Sequence, residues 1–135
     1  MALPPKQHLE FVGVDMKEGW AVPPGYPQGF TQKILASDID EVNKRGSRTR
    51  LLRLESGAFS TVPFVHDHWE EVFLVQGDLI FGNDDKGQGG QSSNAFTYAC
   101  RPPGVPHVRS PRRMDVSSMR SITMKRPARN RGAPC

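Results

Sequence analysis

The chain has few of the residues that would crosslink it or carry it across a membrane. Two of its 135 residues are cysteines, Cys100 and Cys135, which are too few for a disulfide framework. No apolar run approaches the roughly 18 residues that a membrane-spanning helix needs. The first residues, 1–6, lack the long apolar core of a signal peptide. These absences predict a reduced, cytoplasmic protein without a membrane partner.

Glycine and proline, by contrast, are abundant. The 13 glycines and 12 prolines make up about a fifth of the chain, which favours many turns over a helical bundle. The length predicts one domain with a core of modest size. Short apolar segments between Gly and Pro turns indicate a β-sandwich or small barrel. Strands are expected near 10–14, 30–36, 49–55, 72–75, 79–81 and 95–100, with a helical turn or a plain loop within 37–45.

Positive charge is unevenly distributed along the chain. The whole sequence has 18 Lys and Arg against 14 Asp and Glu, a formal net charge of +4. Residues 108–135 hold eight of these bases and one acid, Asp115, so residues 1–107 keep ten bases and thirteen acids. A basic segment can bind nucleic acid, but this one has no aromatic residue and no motif. No nucleic-acid partner is therefore expected.

The stretch from Phe64 to Gly77 concentrates side chains that bind metals. It places two imidazoles and three carboxylates, including the Glu70–Glu71 pair, within residues 66–71 and then continues into an apolar segment that ends at the glycine. Further along the chain, a Pro-Gly turn at 102–106 leads to a third imidazole, His107. Histidine nitrogens with a carboxylate oxygen suit a borderline divalent metal such as iron, zinc, manganese or nickel. Two strands that meet in space would bring these groups together.

The two motifs resemble those of the cupin superfamily. The first family motif is a glycine, a short spacer, His-x-His, three or four residues, Glu, six residues and Gly; here Gly57 opens it and Gly77 closes it. The second, Pro-x-Gly-x-x-His, is matched by residues 102–107. The resemblance covers residues 45–107 and implies an all-β, double-stranded β-helix (jelly-roll) barrel with a metal inside. It gives a single cupin domain over 1–107 and an irregular basic C-terminal tail over 108–135.

The first motif can be aligned in two registers. Counting back from Gly77 gives Glu70 as the carboxylate and His66 as the second histidine of the family pair, but it leaves Phe64 at the first histidine position. The rival register takes His66 and His68 as the pair, which shortens the spacer before the glutamate. Each register departs from the family pattern at one point, so the resemblance alone does not choose between them.

Strand geometry adds a further expectation. If residues 66–70 are extended, alternate side chains lie on one face, which unites both histidines with Glu70. A turn near Trp69 would break that alternation and bring in Glu71 as the carboxylate. We predict His66, Glu70 and His107 as ligands with His68 as the fourth. No catalytic residue is predicted beyond the metal ligands, which are His66, His68, Glu70 and His107.

Residues beside the motifs carry weaker signals. Asp67 is expected to face outward or to orient a ligand imidazole from behind. Cys100 is interpreted as a small buried residue, and Arg101 as either an ion-pair partner or an anion contact. The aromatic residues are candidate pocket walls or ordinary core: Trp20, Phe59, Phe64, Trp69, Phe73, Phe81 and Tyr98.

The resemblance also implies a function. Small single-domain cupins include dioxygenases that cleave diketone-like or aromatic substrates with a histidine-bound ferrous iron. The first hypothesis is therefore a mononuclear metal-dependent oxygenase acting on a small organic substrate. The alternative is a non-catalytic metal-binding or sensor module, similar to the cupin-like domain of zinc-binding anti-sigma factors. Cupins commonly dimerise, so a homodimer is expected from the resemblance alone.

Residues 108–135 contain no convincing strand, although a jelly roll needs strands there to close its sheets. One explanation is a disordered tail. The other is a one-base deletion just after the His107 codon. With suitable codons, restoring one G permits Gly-Pro-Phe-Ala-Ser-Lys-Asp-Gly-Cys-Leu-Leu-Tyr-Glu-Ile-His-Tyr-Tyr-Glu, a turn followed by a strand. On that hypothesis the segment is frameshifted and non-native.

Overall fold

The protein is built from β-strands. The computed structural model describes residues 6–60, 62–106, 109–110 and 117–125, and within these ranges it contains no helix. None of the residues so described forms a helix that could cross a membrane. The strands are β1 Phe30–Ser37, β2 Gly46–Leu54, β3 Trp69–Leu74, β4 Asp78–Phe81, β5 Gln91–Asn94, β6 Tyr98–Arg101, β7 Arg109–Ser110 and β8 Ser117–Lys125.

These strands form two antiparallel sheets. The larger has the order β1-β2-β8-β3-β6 and the smaller the order β5-β4-β7. Strand β8 comes late in the chain but lies between β2 and β3, where it pairs with both. The result is the jelly-roll β-sandwich that the sequence predicts. Since β2 and β3 are both antiparallel to β8, they run in the same direction.

The core occupies the face on which the two sheets meet. Alternation along β2 buries Leu52 and Leu54, and alternation along β3 buries Val72 and Leu74. Phe30 of β1 and Leu79 of β4 complete this cluster. Two residues before Leu52 and Val72, the same inward faces have buried charged side chains, Arg50 on β2 and Glu70 on β3. The interior is therefore apolar at one end and charged at the other.

The sequence-based strand assignments are mostly confirmed, but the segment 10–14, the strand β5 and the late strands β7 and β8 differ from expectation; β5 lies largely in the polar segment 83–93, which was expected to be a loop. The strand expected near 10–14 is wrong: this segment has no strand, and Phe11 is fully exposed with a positive φ of 42°. The segment between β1 and β2 is a turn closed by a bridge between Asp40 and Arg45, so the plain-loop alternative holds there. The strands β7 and β8 lie in the segment where the sequence showed no convincing strand. They pair with strands far away in the sequence, which a local pattern does not reveal.

Gly46, the first residue of β2, offers a test of this turn. Its φ is +105°, and a Cβ added there would lie 2.3 Å from the backbone oxygen of Asp38. Gly57 also has a positive φ, +81°, but a Cβ added there meets nothing within 4 Å. Gly57→Ala is expected to lower the free energy of unfolding by about 1–2 kcal/mol, the cost of left-handed backbone. Gly46→Ala should cost at least about 2 kcal/mol more, because the backbone must move. Urea unfolding of both variants measures the difference, and equal losses would contradict it.

Candidate metal site and adjoining cavity

The segment that leads into β3 directs alternate side chains inward. Residues 64, 66, 68 and 70 are more buried than residues 65, 67 and 69 between them. The chain bends at 67–68, before β3 begins at Trp69, and the alternation continues through the bend. His66, His68 and Glu70 thus lie on the inward side, as the extended arrangement predicts.

Glu70 is the most buried charged group of this segment, with 1% of its surface exposed. Its Oε1 lies 3.7 Å from Nε2 of His66, and its Oε2 lies 3.3 Å from Nη1 of Arg101. Arg101 is directly opposite Glu70 in the pairing of β3 with β6, and its guanidinium lies over the ring of Phe81, 4.8 Å from the ring centre. Of the two interpretations of Arg101, the ion pair is the one present in the structure.

The Arg101–Glu70 pair should therefore contribute strongly to stability. Removing one partner of a buried ion pair typically costs about 3–5 kcal/mol, because the remaining charge loses its compensation. Arg101→Met is expected to lower the free energy of unfolding by about that amount in metal-free protein. Adding Glu70→Gln should recover most of the loss. Denaturant unfolding of the two variants measures this, and a double variant no more stable than Arg101→Met would contradict the assigned role.

The second motif reaches the first through the backbone. The amide of Gly104, within the Pro-Gly turn, donates a hydrogen bond of 2.9 Å to the carbonyl of His66. Together with the pairing of Arg101 and Glu70, this contact fixes the start of the second motif beside the first. His107, the predicted ligand that follows this turn, lies outside the described residues.

His68 has a different set of contacts from His66. Its Nδ1 lies 3.0 Å from a carboxylate oxygen of Asp67, and the other oxygen of Asp67 lies 3.1 Å from Nζ of Lys44. The rings of His66 and His68 are stacked, with centres 4.7 Å apart. Asp67 thus orients the His68 ring and leaves Nε2 as the nitrogen that the carboxylate does not hold. This is the orienting arrangement considered for Asp67 from the sequence.

Glu71 points away from this group. It follows the buried Glu70 by one residue, and its carboxylate accepts a hydrogen bond from the Tyr98 hydroxyl on the outer face. This hydrogen bond raises the pKa of the Tyr98 phenol, because it favours the protonated form. The structure therefore places Glu70, and not Glu71, beside His66.

The donor chemistry of the inward group fits a divalent metal. Two ligand atoms that each lie about 2.1 Å from a tetrahedral metal are about 3.4 Å apart. The 3.7 Å between Nε2 of His66 and Oε1 of Glu70 is close to this separation. In the part of the chain that is described, no three His, Cys, Asp or Glu side chains are grouped as a metal site, so the structure brings His66 and Glu70 together but does not group His68 with them. The third imidazole that the motifs supply, His107, lies outside that part.

A cavity of about 350 Å³ adjoins His66. A proline-rich loop, 23–26, and Phe64 line part of it, and the rings of Tyr26 and Phe64 are stacked with centres 4.3 Å apart. Arg48 and Arg50 of β2 also line it, together with Gln32 of β1. The sequence did not single out these two arginines. They alternate with the buried Leu52 and Leu54 along β2, and this period-two pattern could have predicted that both arginines face inward.

Several aromatic residues proposed as pocket walls lie elsewhere. Phe64 lines the cavity, but Trp69, Phe73 and Tyr98 are exposed. Trp20 packs against Arg53, whose guanidinium carbon lies 3.9 Å from the centre of the Trp20 ring. Cys100 was interpreted as buried, and this is wrong: it is exposed, because it lies opposite the outward Glu71 in the pairing of β6 with β3.

Comparison with known proteins identifies the fold. No family model and no curated protein matches the chain. Among solved structures, an RmlC-like cupin from Shewanella frigidimarina is similar with a TM-score of 0.59 and 16% identity, over 90% of this chain and 94% of that chain. An acetylacetone dioxygenase from Acinetobacter johnsonii has a TM-score of 0.60 and 20% identity, over 92% of this chain and 80% of that chain. The structure of Rhodobacter sphaeroides SigE in complex with the anti-sigma ChrR is similar with a TM-score of 0.58 and 18% identity. The match covers 80% of this chain and 50% of that chain. At these identities the likeness establishes architecture, and the chain has the cupin fold.

Proposed function

We propose that this chain is a small metal-dependent oxygenase that acts on a diketone-like or aromatic substrate. His66, His68, Glu70 and His107 would hold one divalent metal ion, iron, zinc, manganese or nickel. The observation that supports the proposal most is the buried Glu70 facing His66 at 3.7 Å, directly beside a cavity of about 350 Å³. Small-molecule sites are concave and combine apolar walls with a few convergent polar groups, and this cavity has Tyr26 and Phe64 as well as Gln32, Arg48 and Arg50 in its lining.

The side chains around the site have separable roles in this proposal. A bound divalent metal would supply a Lewis acid that polarises a substrate oxygen or activates dioxygen. Arg101 holds the Glu70 carboxylate, and Asp67 fixes the His68 ring. Tyr26 and Phe64 provide a flat apolar wall for an unsaturated substrate.

Oxygen uptake measures the proposed activity. Metal-free protein would be loaded separately with Fe²⁺, Zn²⁺, Mn²⁺ and Ni²⁺ and supplied with acetylacetone and a panel of aromatic substrates. We expect uptake with one redox-active metal and its loss in Glu70→Gln, while the outward control Glu71→Gln retains it. Stoichiometric metal without uptake for any substrate would instead favour the alternative, a non-catalytic metal-binding or sensor module. The likeness to the complex with the anti-sigma ChrR fits that alternative in fold.

A further inference from the structure

Arg50 is a buried cation with neutral partners. It is 3% exposed, and its two terminal nitrogens donate to Oε1 of Gln32 at 2.8 Å and to the hydroxyl of Tyr26 at 3.2 Å. Among the described residues no carboxylate forms an ion pair with it, and its Nε is buried without a hydrogen-bond partner. A buried charge is costly unless an opposite charge compensates it. The cavity that Arg50 lines is therefore suited to an anion.

Arg48 places a second cation in the same cavity. It lies two residues before Arg50 on β2, so strand alternation puts both on the inward face. Its Nε is also buried, with no hydrogen-bond partner in the described part of the chain. Burial and then the neighbouring charge of Arg50 lower the pKa of Arg48, and the weaker opposing effects of Tyr26 and Glu41 do not cancel this. Two adjacent cations that repel each other gain most from a ligand that neutralises both.

The rest of the cavity limits the size and shape of that ligand. Arg48 and Glu70 both pair with Thr123 of the intervening strand β8, so their backbones are two strand spacings, about 10 Å, apart. The stacked Tyr26 and Phe64 form a flat apolar wall, and His66 also lines the cavity. A ligand between the arginines and His66 is therefore short, with an anionic end and an apolar body.

We propose that Arg48 and Arg50 bind the carboxylate of a small organic acid whose apolar body lies against Tyr26 and Phe64. This makes the substrate of the site an acid and assigns the two arginines as specificity-determining residues. The substrate role rests on the proposed function, but carboxylate binding itself needs no metal. Guanidinium groups suit the task because they present planar, fixed donors to a carboxylate.

Calorimetric titration of the metal-free full-length chain tests this with benzoate and its neutral analogue benzamide. Benzoate is expected to bind at least about tenfold more tightly, the difference expected when a charge-assisted hydrogen bond is lost. Arg48→Gln and Arg50→Gln should each weaken benzoate binding about tenfold or more. Arg53→Gln is the matched control, because Arg53 lies on β2 but stacks on Trp20 outside the cavity, and it should bind as the parent does.

Three outcomes would overturn the proposal. They are equal affinity for benzoate and benzamide, unchanged benzoate binding in Arg48→Gln, and tighter binding of phenyl phosphate than of benzoate. Should Arg50→Gln fail to fold, benzoate binding is measured instead in Arg50→Lys and in Arg48→Gln, since Arg48 is less buried than Arg50. Metal content is measured on the same preparations. Selective binding of benzoate by a protein that binds no metal would contradict the oxygenase proposal but support the carboxylate site.

Discussion

The purified protein is expected to contain about one divalent metal ion per chain, and the double variant His66→Ala/His107→Ala is expected to lose it. Removing even an indirect supporting residue of a metal site typically costs 10- to 100-fold in affinity, so losing two ligands should cost more than about 100-fold. Both imidazoles come from the two motifs that the hydrogen bond from Gly104 to His66 connects. Elemental analysis of parent and variant measures the outcome. Iron would favour oxygen chemistry, and zinc a sensor role.

Two controls make this measurement specific. His8→Ala removes the one histidine of the chain that is not a predicted ligand. This side chain is exposed and pairs with Glu10, so the variant should keep its metal content unchanged. Glu71→Gln removes the outward carboxylate that Tyr98 holds and should also have no effect. Comparable metal in parent and double variant would show that these histidines are not ligands. Retention by Glu70→Gln together with loss in Glu71→Gln would place the carboxylate ligand on the other face.

Restoring one G after the codon of His107 is expected to raise the free energy of unfolding by about 1.5–3 kcal/mol. We propose that residues 108–135 are a frameshifted sequence, and the register of β8 gives the reason. The restored segment, Cys-Leu-Leu-Tyr-Glu-Ile-His-Tyr-Tyr-Glu, falls on residues 116–125, and its last nine residues fall on β8, Ser117–Lys125. It replaces Ser121, which pairs with Arg50 and Val72, by isoleucine, and Met119, which pairs with Leu52 and Leu74, by tyrosine. Burying one large apolar side chain contributes about 1.5–3 kcal/mol.

The source DNA provides the first check of this proposal, and denaturant unfolding of both chains provides the second. A matched control inserts one G and then deletes one base three codons later, which leaves β8 in its present frame. That control should be no more stable than the present chain. Codons that yield polar residues or a stop across 116–125 would refute the frameshift, as would a native gene with no missing base.

The sequence alone predicted several features because they depend on local chemistry. Glycine and proline turns between short apolar segments predicted the all-β class, and β1 to β4 lie within a few residues of their expected positions. Gly57 and Gly77, which bound the first motif, both have positive φ values that favour glycine. Period-two alternation also predicted that His66, His68 and Glu70 share the inward side. Each of these follows from backbone rules that act over a few residues.

The tertiary structure decided which charges lie together. Pairing of β3 with β6 placed Arg101 opposite Glu70. Strand β8 lies between β2 and β3, and its register aligns Arg48 with Glu70 across the sheet. Neither follows from local pattern, because a strand's partners depend on sheet order and register, which residues far apart in the sequence establish. The sequence determined a metal-suited set of side chains on an inward face. Only the folded sheet order determined that two arginines line the same cavity as a histidine that lies beside a buried carboxylate.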